Sequence, residues 1–188
     1  MNETLKAISN RRSTRSYKEE QIRDTELNDI LEAAIAAPNA VGIPKWHLTV
    51  VQDKDLLDRI VEDVIEAIKK SNNKFLIDVV SIPNHHSFHH APTVIFVSGD
   101  NNSPYCQYDC CAATENILIA AESLNIGSCW IGTFLSLFAS EKGEEYKKEL
   151  GIPEGYNLIS AVTLGYKETE NAVVPSRKKD VINFIRRR

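Results

Sequence analysis

The stretch Arg11-Arg12-Ser13-Thr14-Arg15-Ser16-Tyr17 places three arginines within five residues and interleaves them with hydroxyl side chains. Guanidinium groups form bidentate, charge-assisted hydrogen bonds with phosphates, and hydroxyls donate further hydrogen bonds without adding bulk. The composition of this segment therefore suits a phosphate. A solvated basic turn after a short helix is the alternative interpretation, because charged side chains lie mostly at protein surfaces.

Three further stretches follow in order along the chain. They are the turn Ala37-Pro38-Asn39-Ala40-Val41-Gly42-Ile43-Pro44-Lys45-Trp46, the turn Leu124-Asn125-Ile126-Gly127-Ser128-Cys129-Trp130-Ile131-Gly132, and the basic run Pro175-Ser176-Arg177-Lys178-Lys179. With the arginine segment, they resemble the landmarks of the FMN-dependent nitroreductase family. That family carries Arg-x-Ser-x-Arg/Lys, then Pro-Ser-x-x-Asn-x-Gln-Pro-Trp, then a glycine-led Trp-Ile-Gly, then a C-terminal basic residue. The resemblance spans residues 11 to 177.

Size and charge limit the classes of function. The chain has 188 residues and a net charge of -4, with a pI near 5.8, and fits one domain over residues 1–188. An acidic protein with local basic spots suits a small anionic ligand and argues against broad nucleic-acid binding. Because no apolar segment follows Met1 and no run approaches the ~18 apolar residues of a membrane span, we expect a cytoplasmic protein with reduced cysteines.

Apolar periodicity predicts alternating helices and strands. Helices are expected over residues 2–10, 24–37, 54–70, 105–124 and 140–150, and strands over residues 46–52, 93–98 and 157–165. Asp24 is the expected N-cap of the second helix. This pattern indicates an α/β or α+β domain. The resemblance implies the α+β alternative: a nitroreductase-like three-layer fold, with a central, mostly antiparallel sheet flanked by helices and FMN at a dimer interface.

The resemblance also implies a set of cofactor-binding residues. Arg11 and Ser13 would contact the FMN phosphate, and Arg15 would lie near N1 and the C2 carbonyl of the isoalloxazine, where its charge favours the anionic reduced flavin. Arg12 is either a ligand or a surface residue. The whole predicted set is Arg11, Arg12, Ser13, Arg15, Pro38, Asn39, Ala40, Gly42, Trp130, Ile131, Gly132 and Arg177.

The second and third landmarks each leave an alternative open. Asn39 stands where the family usually has Ser, Gly42 where it has Asn, and Pro44-Lys45 where it has Gln-Pro. Residues 38–40 would contact the flavin from the other subunit, although Pro38 and Gly42 also suit an ordinary helix stop and turn. Backbone amides at Ile131 and Gly132 would face the flavin near N5, whereas Trp130 could equally belong to the core.

The implied activity is NAD(P)H-driven, ping-pong hydride transfer through FMN to a nitroaromatic or quinone-like acceptor, by a homodimer. It needs no catalytic side chain, because the cofactor carries the hydride chemistry. Two alternatives remain: specialised FMN chemistry on the same fold, and a flavin-binding or redox-sensing module without turnover.

Two groups of metal-binding residue types receive a different interpretation. Histidines at residues 85, 86, 89 and 90 could share a metal, but a loop bordering the substrate pocket is favoured, and no metal is predicted. The cysteines at residues 106, 110 and 111 lack a trusted metal spacing and are interpreted as small core residues.

Overall fold

A four-stranded antiparallel sheet forms the centre of the computed structural model, which describes residues 1–169, 176–178 and 180–186, with Val41 as backbone only. The strands are β1 (Trp46–Val51), β2 (Thr93–Asp100), β3 (Gly127–Ile131) and β4 (Tyr156–Gly165), in the spatial order β1-β2-β4-β3. Every neighbouring pair is antiparallel. All predicted site residues lie within the described part, whereas Pro175 and Lys179, at the two ends of the basic run, lie outside it.

Seven helices lie in the described part of the chain, with a short 3-10 turn at Ala40–Gly42. Their bounds are α1 (Glu3–Asn10), α2 (Asp24–Ile35), α3 (Lys54–Lys69), α4 (Lys74–Val80), α5 (Cys106–Ser123), α6 (Leu135–Phe138) and α7 (Glu141–Glu149). None of the helices that the structure describes has the length and apolar character needed to cross a membrane.

The two faces of the sheet carry separate apolar cores. Along β2, Val94 and Phe96 pack into a core shared with α3, α6 and α7, whereas Ile95 and Val97 pack into a core shared with α2 and α5. Successive side chains of a strand point to opposite faces, so one continuous apolar strand serves both cores. The predicted three-layer α+β fold, with its mostly antiparallel sheet, is confirmed.

Helix α5 is the element that connects the separate parts of the candidate site. It carries little charge, as the sequence indicates, and it packs against α1, α2 and the sheet. Its buried side chains include Ala113, Ile117 and Ala121. The small residues allow neighbouring backbones to approach closely, which makes α5 a rigid reference for the segments bound along it.

The start of α2 differs from the prediction. Arg23 is the N-cap and Asp24 is already helical, so the assignment of Asp24 as the N-cap is wrong. The carboxylate of Glu26 accepts the Arg23 N–H over 3.0 Å and pairs with its guanidinium, and the Tyr166 hydroxyl donates to the same carboxylate over 2.7 Å. This tertiary anchor, rather than the short Asp24 side chain, determines where the helix begins.

Candidate functional site

The arginine segment lies along the edge of the sheet. The Thr14 N–H donates to the Ser128 carbonyl over 2.9 Å, Ser13 and Ser128 form a parallel bridge, and Tyr17 forms an antiparallel bridge with Lys167. The approach is close at Gly127, where an added Cβ would lie 2.8 Å from Thr14 Cγ2. Residues 11–15 are therefore held beside β3, the strand that carries the third landmark.

The three arginines of this segment have no acidic partner among the described residues. Nη1 of Arg12 donates to the carbonyls of Ser9 and Arg11, over 2.9 and 2.5 Å, but its Nε and Nη2 are buried without a hydrogen-bond partner. Leaving donors of a cation unpaired in a buried position costs free energy. The segment is thus a concentrated positive charge with two buried donors still to be satisfied, which is the character of an anion-binding site.

The charges of the arginine segment also act on the thiol of Cys129, a residue that the sequence analysis did not identify. Burial raises the pKa of the Cys129 thiol, while the charges of Arg15 and Arg11 and a hydrogen bond from Ser13 act in the opposite direction. These interactions place Ser13 and Arg15 on the side of β3 where Cys129 points. The sequence contained a signal for this orientation, since Cys129 and Ile131 alternate with Trp130 along the strand and therefore point to the opposite face.

The C-terminal end of β3 presents both backbone and ring to the surface. Trp130 is 39% exposed, which places it outside the core, whereas Ile131 is buried. Gly132 is exposed, and an added Cβ there would meet nothing within 4 Å. Backbone groups at Gly132 are therefore open to a molecule that approaches the end of this strand.

The second landmark is fixed to the N-terminal half of α5. The Ala40 N–H donates to Oδ1 of the buried Asp109 over 3.0 Å, and Asn116 Nδ2 donates to the Ala33 carbonyl over 2.8 Å. Asn39 Oδ1 is buried without a partner, as are the two donors of Arg12. Asp109 and Asn116 thus have structural roles, and residues 38–40 form a rigid turn with one acceptor to satisfy.

Gly42 occupies a backbone conformation that explains its residue type. Its φ is +69°, in the left-handed region that glycine enters freely and asparagine tolerates better than other side chains. Glycine therefore meets the backbone requirement of this turn, at the position where the family motif has an asparagine.

One chain does not bring the first two landmarks together. Helix α1, which leads into the arginine segment, packs near Glu122 and Ser123 at the C-terminal end of α5, whereas Ala40 is bound at Asp109. Glu122 comes thirteen positions after Asp109 in the helix, a rise of about 20 Å at 1.5 Å per residue. The first two landmarks thus form two clusters at opposite ends of α5.

Comparison with protein families assigns the chain to one family and agrees with the fold and the landmarks described above. The model of the Nitroreductase family matches residues 8–166, which include the arginine segment, both turns and the whole sheet. The chain belongs to the nitroreductase family. A relative from Archaeoglobus fulgidus, provisionally named NADH dehydrogenase/NAD(P)H nitroreductase, is 38% identical over 90% of this chain and 88% of its own length.

Two solved nitroreductases have the same fold over their whole length. A nitroreductase with bound FMN from Bacteroides fragilis matches with a TM-score of 0.90 and 34% identity, over 99% of this chain and 100% of its own. One with bound FMN from Desulfitobacterium hafniense matches with a TM-score of 0.92 and 32% identity, with the same coverage. The three-layer architecture is therefore that of solved members of the nitroreductase family.

The fourth landmark of the family has no defined relation to the others. Arg177 is exposed in the described segment 176–178. Within the part of the chain that the structure covers, no hydrogen bond or ion pair connects Arg177 with the arginine segment. Its assignment as a phosphate ligand stays a prediction.

The loop that carries the histidines at residues 85, 86, 89 and 90 and helix α3 together provide a group of potential metal ligands, with atoms of Asp58, His86 and His90 all within 4.8 Å of one another. The hydrogen bonds of His86 argue against a metal. Its Nδ1 accepts the N–H groups of Phe88 and His90 over 3.2 and 3.1 Å, so the ring proton lies on Nε2, 3.2 Å from Asp58 Oδ1. A metal would need the Nε2 lone pair, so the geometry fits a hydrogen-bonded clamp.

The cysteines of α5 have the environment of core residues. Cys106 and Cys110 are buried, and burial raises the pKa of both thiols. Their sulfurs face Gly99, where a Cβ would come within 2.4 and 2.7 Å of them. The two thiols fill the space that this glycine leaves, which agrees with the interpretation as small core residues.

Proposed function

We propose that this protein is an FMN-dependent oxidoreductase that uses NADH or NADPH to reduce nitroaromatic or quinone-like acceptors. The observation that carries the proposal is the arginine segment, in which three guanidinium groups lack an acidic partner among the described residues and Arg12 keeps two buried donors unpaired. The FMN phosphate supplies both the countercharge and the hydrogen-bond acceptors that this segment needs. The FMN-bound family members from Bacteroides fragilis and Desulfitobacterium hafniense support the choice of cofactor.

The predicted residues other than Trp130 each have a role in this proposal. Arg11, Arg12 and Ser13 bind the phosphate, and Arg177 completes the set from the C-terminal segment. Arg15 faces the flavin pyrimidine, where a fixed positive charge stabilises the anionic reduced form and raises the reduction potential. When bound, FMN supplies the hydride chemistry, accepting a hydride from NAD(P)H and passing it to the second substrate in a ping-pong cycle. Ile131 and Gly132 offer backbone donors at the flavin edge.

The separation of the two clusters supports a homodimer. Because residues 38–42 lie about 20 Å along α5 from the arginine segment, one FMN is completed by the arginine segment of one subunit and by the partner subunit's Pro38, Asn39, Ala40 and Gly42. Exposed apolar side chains on α1 and α5 supply a surface for association, among them Leu5, Ile8 and Tyr108 at 52, 49 and 74% exposure. The unpaired Oδ1 of Asn39 acquires a partner in the same arrangement.

Initial-rate kinetics test this function. The FMN-loaded protein should oxidise NADH or NADPH in the presence of a benzoquinone or a nitrobenzoate, and double-reciprocal plots at several acceptor concentrations should give parallel lines. Intersecting lines would contradict the ping-pong cycle. FMN-loaded protein that oxidises neither nucleotide with either acceptor would contradict the proposed function. Arg177→Ala should lose activity if Arg177 binds the FMN phosphate. Lys178→Ala, which removes a neighbouring positive charge, is the matched control.

A further inference from the structure

The C-terminal end of the loop of residues 83–92 lies close to Tyr17, the last residue of the arginine segment. Gln21 Nε2 donates to the Pro92 carbonyl over 2.6 Å, and the rings of Pro92 and Tyr17 both border Gly165, where a Cβ would lie 2.8 and 2.9 Å from them. Burial, and to a smaller extent the charge of Arg15, lower the pKa of His89 in the same loop. The loop is therefore a neighbour of the arginine segment, with His89 in the electrostatic field of Arg15.

His86 holds this loop in its conformation. Its Nδ1 accepts hydrogen bonds from two backbone N–H groups of the loop, those of Phe88 and His90. Its Nε2 lies 3.2 Å from Asp58 on α3, and its ring lies 3.9 Å from the ring of His90 between centroids. The side chain is only 9% exposed. One imidazole thus connects the loop backbone to a helix of the central fold.

The loop conformation needs such support because its backbone is strained. Asn84, His89 and His90 have φ values of 59°, 54° and 53°, in the left-handed region. Residues other than glycine are disfavoured in this region and persist there only where surrounding contacts enforce the conformation. Phe88, fully buried against Phe96, anchors the middle of the loop, and the two bonds to His86 Nδ1 hold the strained end.

We propose that Asp58 and His86 form a latch that positions the 83–92 loop, and with it His89, against Arg15 of the proposed FMN site, and that protonation of His86 opens the latch. The proton adds to Nδ1, which then becomes a donor that faces two backbone N–H donors. Both hydrogen bonds are lost, and the strained residues relax. The consequence for FMN rests on the function proposed above, whereas the latch itself does not.

The charged groups around His86 determine the pH at which the latch opens. The groups that line its surroundings are Asp58 and Lys54 of α3, Glu19 of the N-terminal segment, and His85 and His90 of the loop. Lys54 pairs with Asp58 over 2.5 Å, so part of that carboxylate charge is already compensated. Burial accordingly outweighs the attraction of Asp58, and the pKa of His86 lies below its ordinary value.

The direction of the pH effect follows from these lowered values. Burial also lowers the pKa of His85, and it lowers that of His89 to about 4, so the closed loop keeps three histidines uncharged that the open loop protonates. The closed loop is fully stable above the ordinary histidine pKa of about 6.5 and loses stability as the pH falls through the lowered values. Uptake of several protons on opening makes the transition steep.

Amide hydrogen exchange in FMN-free protein tests the latch. In the wild type, protection of the Phe88 and His90 amides should fall at least about tenfold between about pH 7.5 and pH 5, after correction for intrinsic exchange. In His86→Asn, the amide oxygen replaces Nδ1 as an acceptor but does not titrate, so protection should fall much less over this pH range, with only His85 and His89 left to take up protons on opening. Protection that is constant in the wild type, or that falls equally in the variant, would overturn the latch. The ¹⁵N chemical shifts of the His86 ring report which nitrogen carries the proton at neutral pH. A proton on Nδ1 would overturn the latch independently of the variant.

FMN affinity tests whether the latch positions the cofactor site. The Kd for FMN should rise about tenfold more in the wild type than in His86→Asn over the same pH range, while titration of the FMN phosphate near pH 6 affects both proteins equally. Equal pH dependence in the two proteins would overturn the positioning role. Absence of FMN binding in both proteins would contradict the proposed function instead, and the exchange measurement would still decide the latch.

Discussion

The backbone N–H of Ala40 donates a 3.0 Å hydrogen bond to the buried carboxylate of Asp109, and this bond fixes the second landmark to α5. Asp109→Ala leaves the Ala40 N–H without its partner, which should lower the free energy of unfolding by about 1–3 kcal/mol. Asp109→Asn keeps an acceptor oxygen, so its free energy of unfolding should fall by less. Urea denaturation of the FMN-free proteins measures both values, and equal losses in the two variants would contradict the role of this acceptor.

Arg12 should contribute to FMN binding but little to the stability of the FMN-free protein. Replacing it with Leu removes two buried, unpaired donors along with the two hydrogen bonds of Nη1, so the stability of the FMN-free protein should change little, while FMN binding should weaken by about 10- to 150-fold, the worth of one charge-assisted hydrogen bond. Fluorescence titration of FMN measures the affinity. Lys178→Ala removes an exposed positive charge and serves as the control. Unchanged FMN affinity in Arg12→Leu would remove Arg12 from the cofactor site.

Two glycines of β3 and its end should respond in opposite ways. Gly127→Ala forces a methyl group to within 2.8 Å of Thr14 Cγ2, so we expect a loss of about 1–3 kcal/mol in FMN-free protein. Gly132→Ala meets open space, so its stability should be unchanged, whereas FMN affinity should fall if the flavin edge lies there. Thermal unfolding and FMN titration separate the two effects. A Gly132→Ala variant with full FMN affinity would contradict its assignment to the site.

Glu26 should make stability depend on pH in the acid range. Hydrogen bonds from Arg23 and Tyr166 lower the pKa of Glu26 to about 2, from an ordinary value of 4.5. Its contribution to stability is therefore complete above about pH 4.5 and is lost as the pH falls through about 2. Glu26→Gln keeps an acceptor but does not titrate, so the free energy of unfolding should vary less in this window. Identical pH profiles would contradict the assignment.

Periodic segments of the sequence were sufficient to predict most of the architecture. The helices beginning near residues 3, 54 and 106 and the strands over residues 46–51 and 156–165 follow from local apolar patterns. The N-cap of α2 was wrong because a tertiary pair, Glu26 with Tyr166, determines the start of that helix. Local propensity does not contain that contact.

The residue types of the candidate site can be read from the sequence, but their arrangement cannot. The arginine segment and the turn at residues 38–42 were both identified, yet their positions at opposite ends of α5 depend on packing that no motif contains. For the histidines at residues 85 to 90 the sequence favoured a pocket border over a metal, but it did not contain the hydrogen bonds of His86 with Phe88, His90 and Asp58. Only the three-dimensional hydrogen bonds distinguish a metal ligand from a clamp.

The visible absorption spectrum of the FMN-reconstituted protein, before and after anaerobic addition of NADH or NADPH, tests the central claim most directly. We predict one FMN per chain, with flavin bands that bleach on addition of at least one of the two nucleotides and return when a quinone is added. Failure to bind FMN would contradict the assignment of the arginine segment. FMN bands that neither nucleotide bleaches would contradict the proposed oxidoreductase.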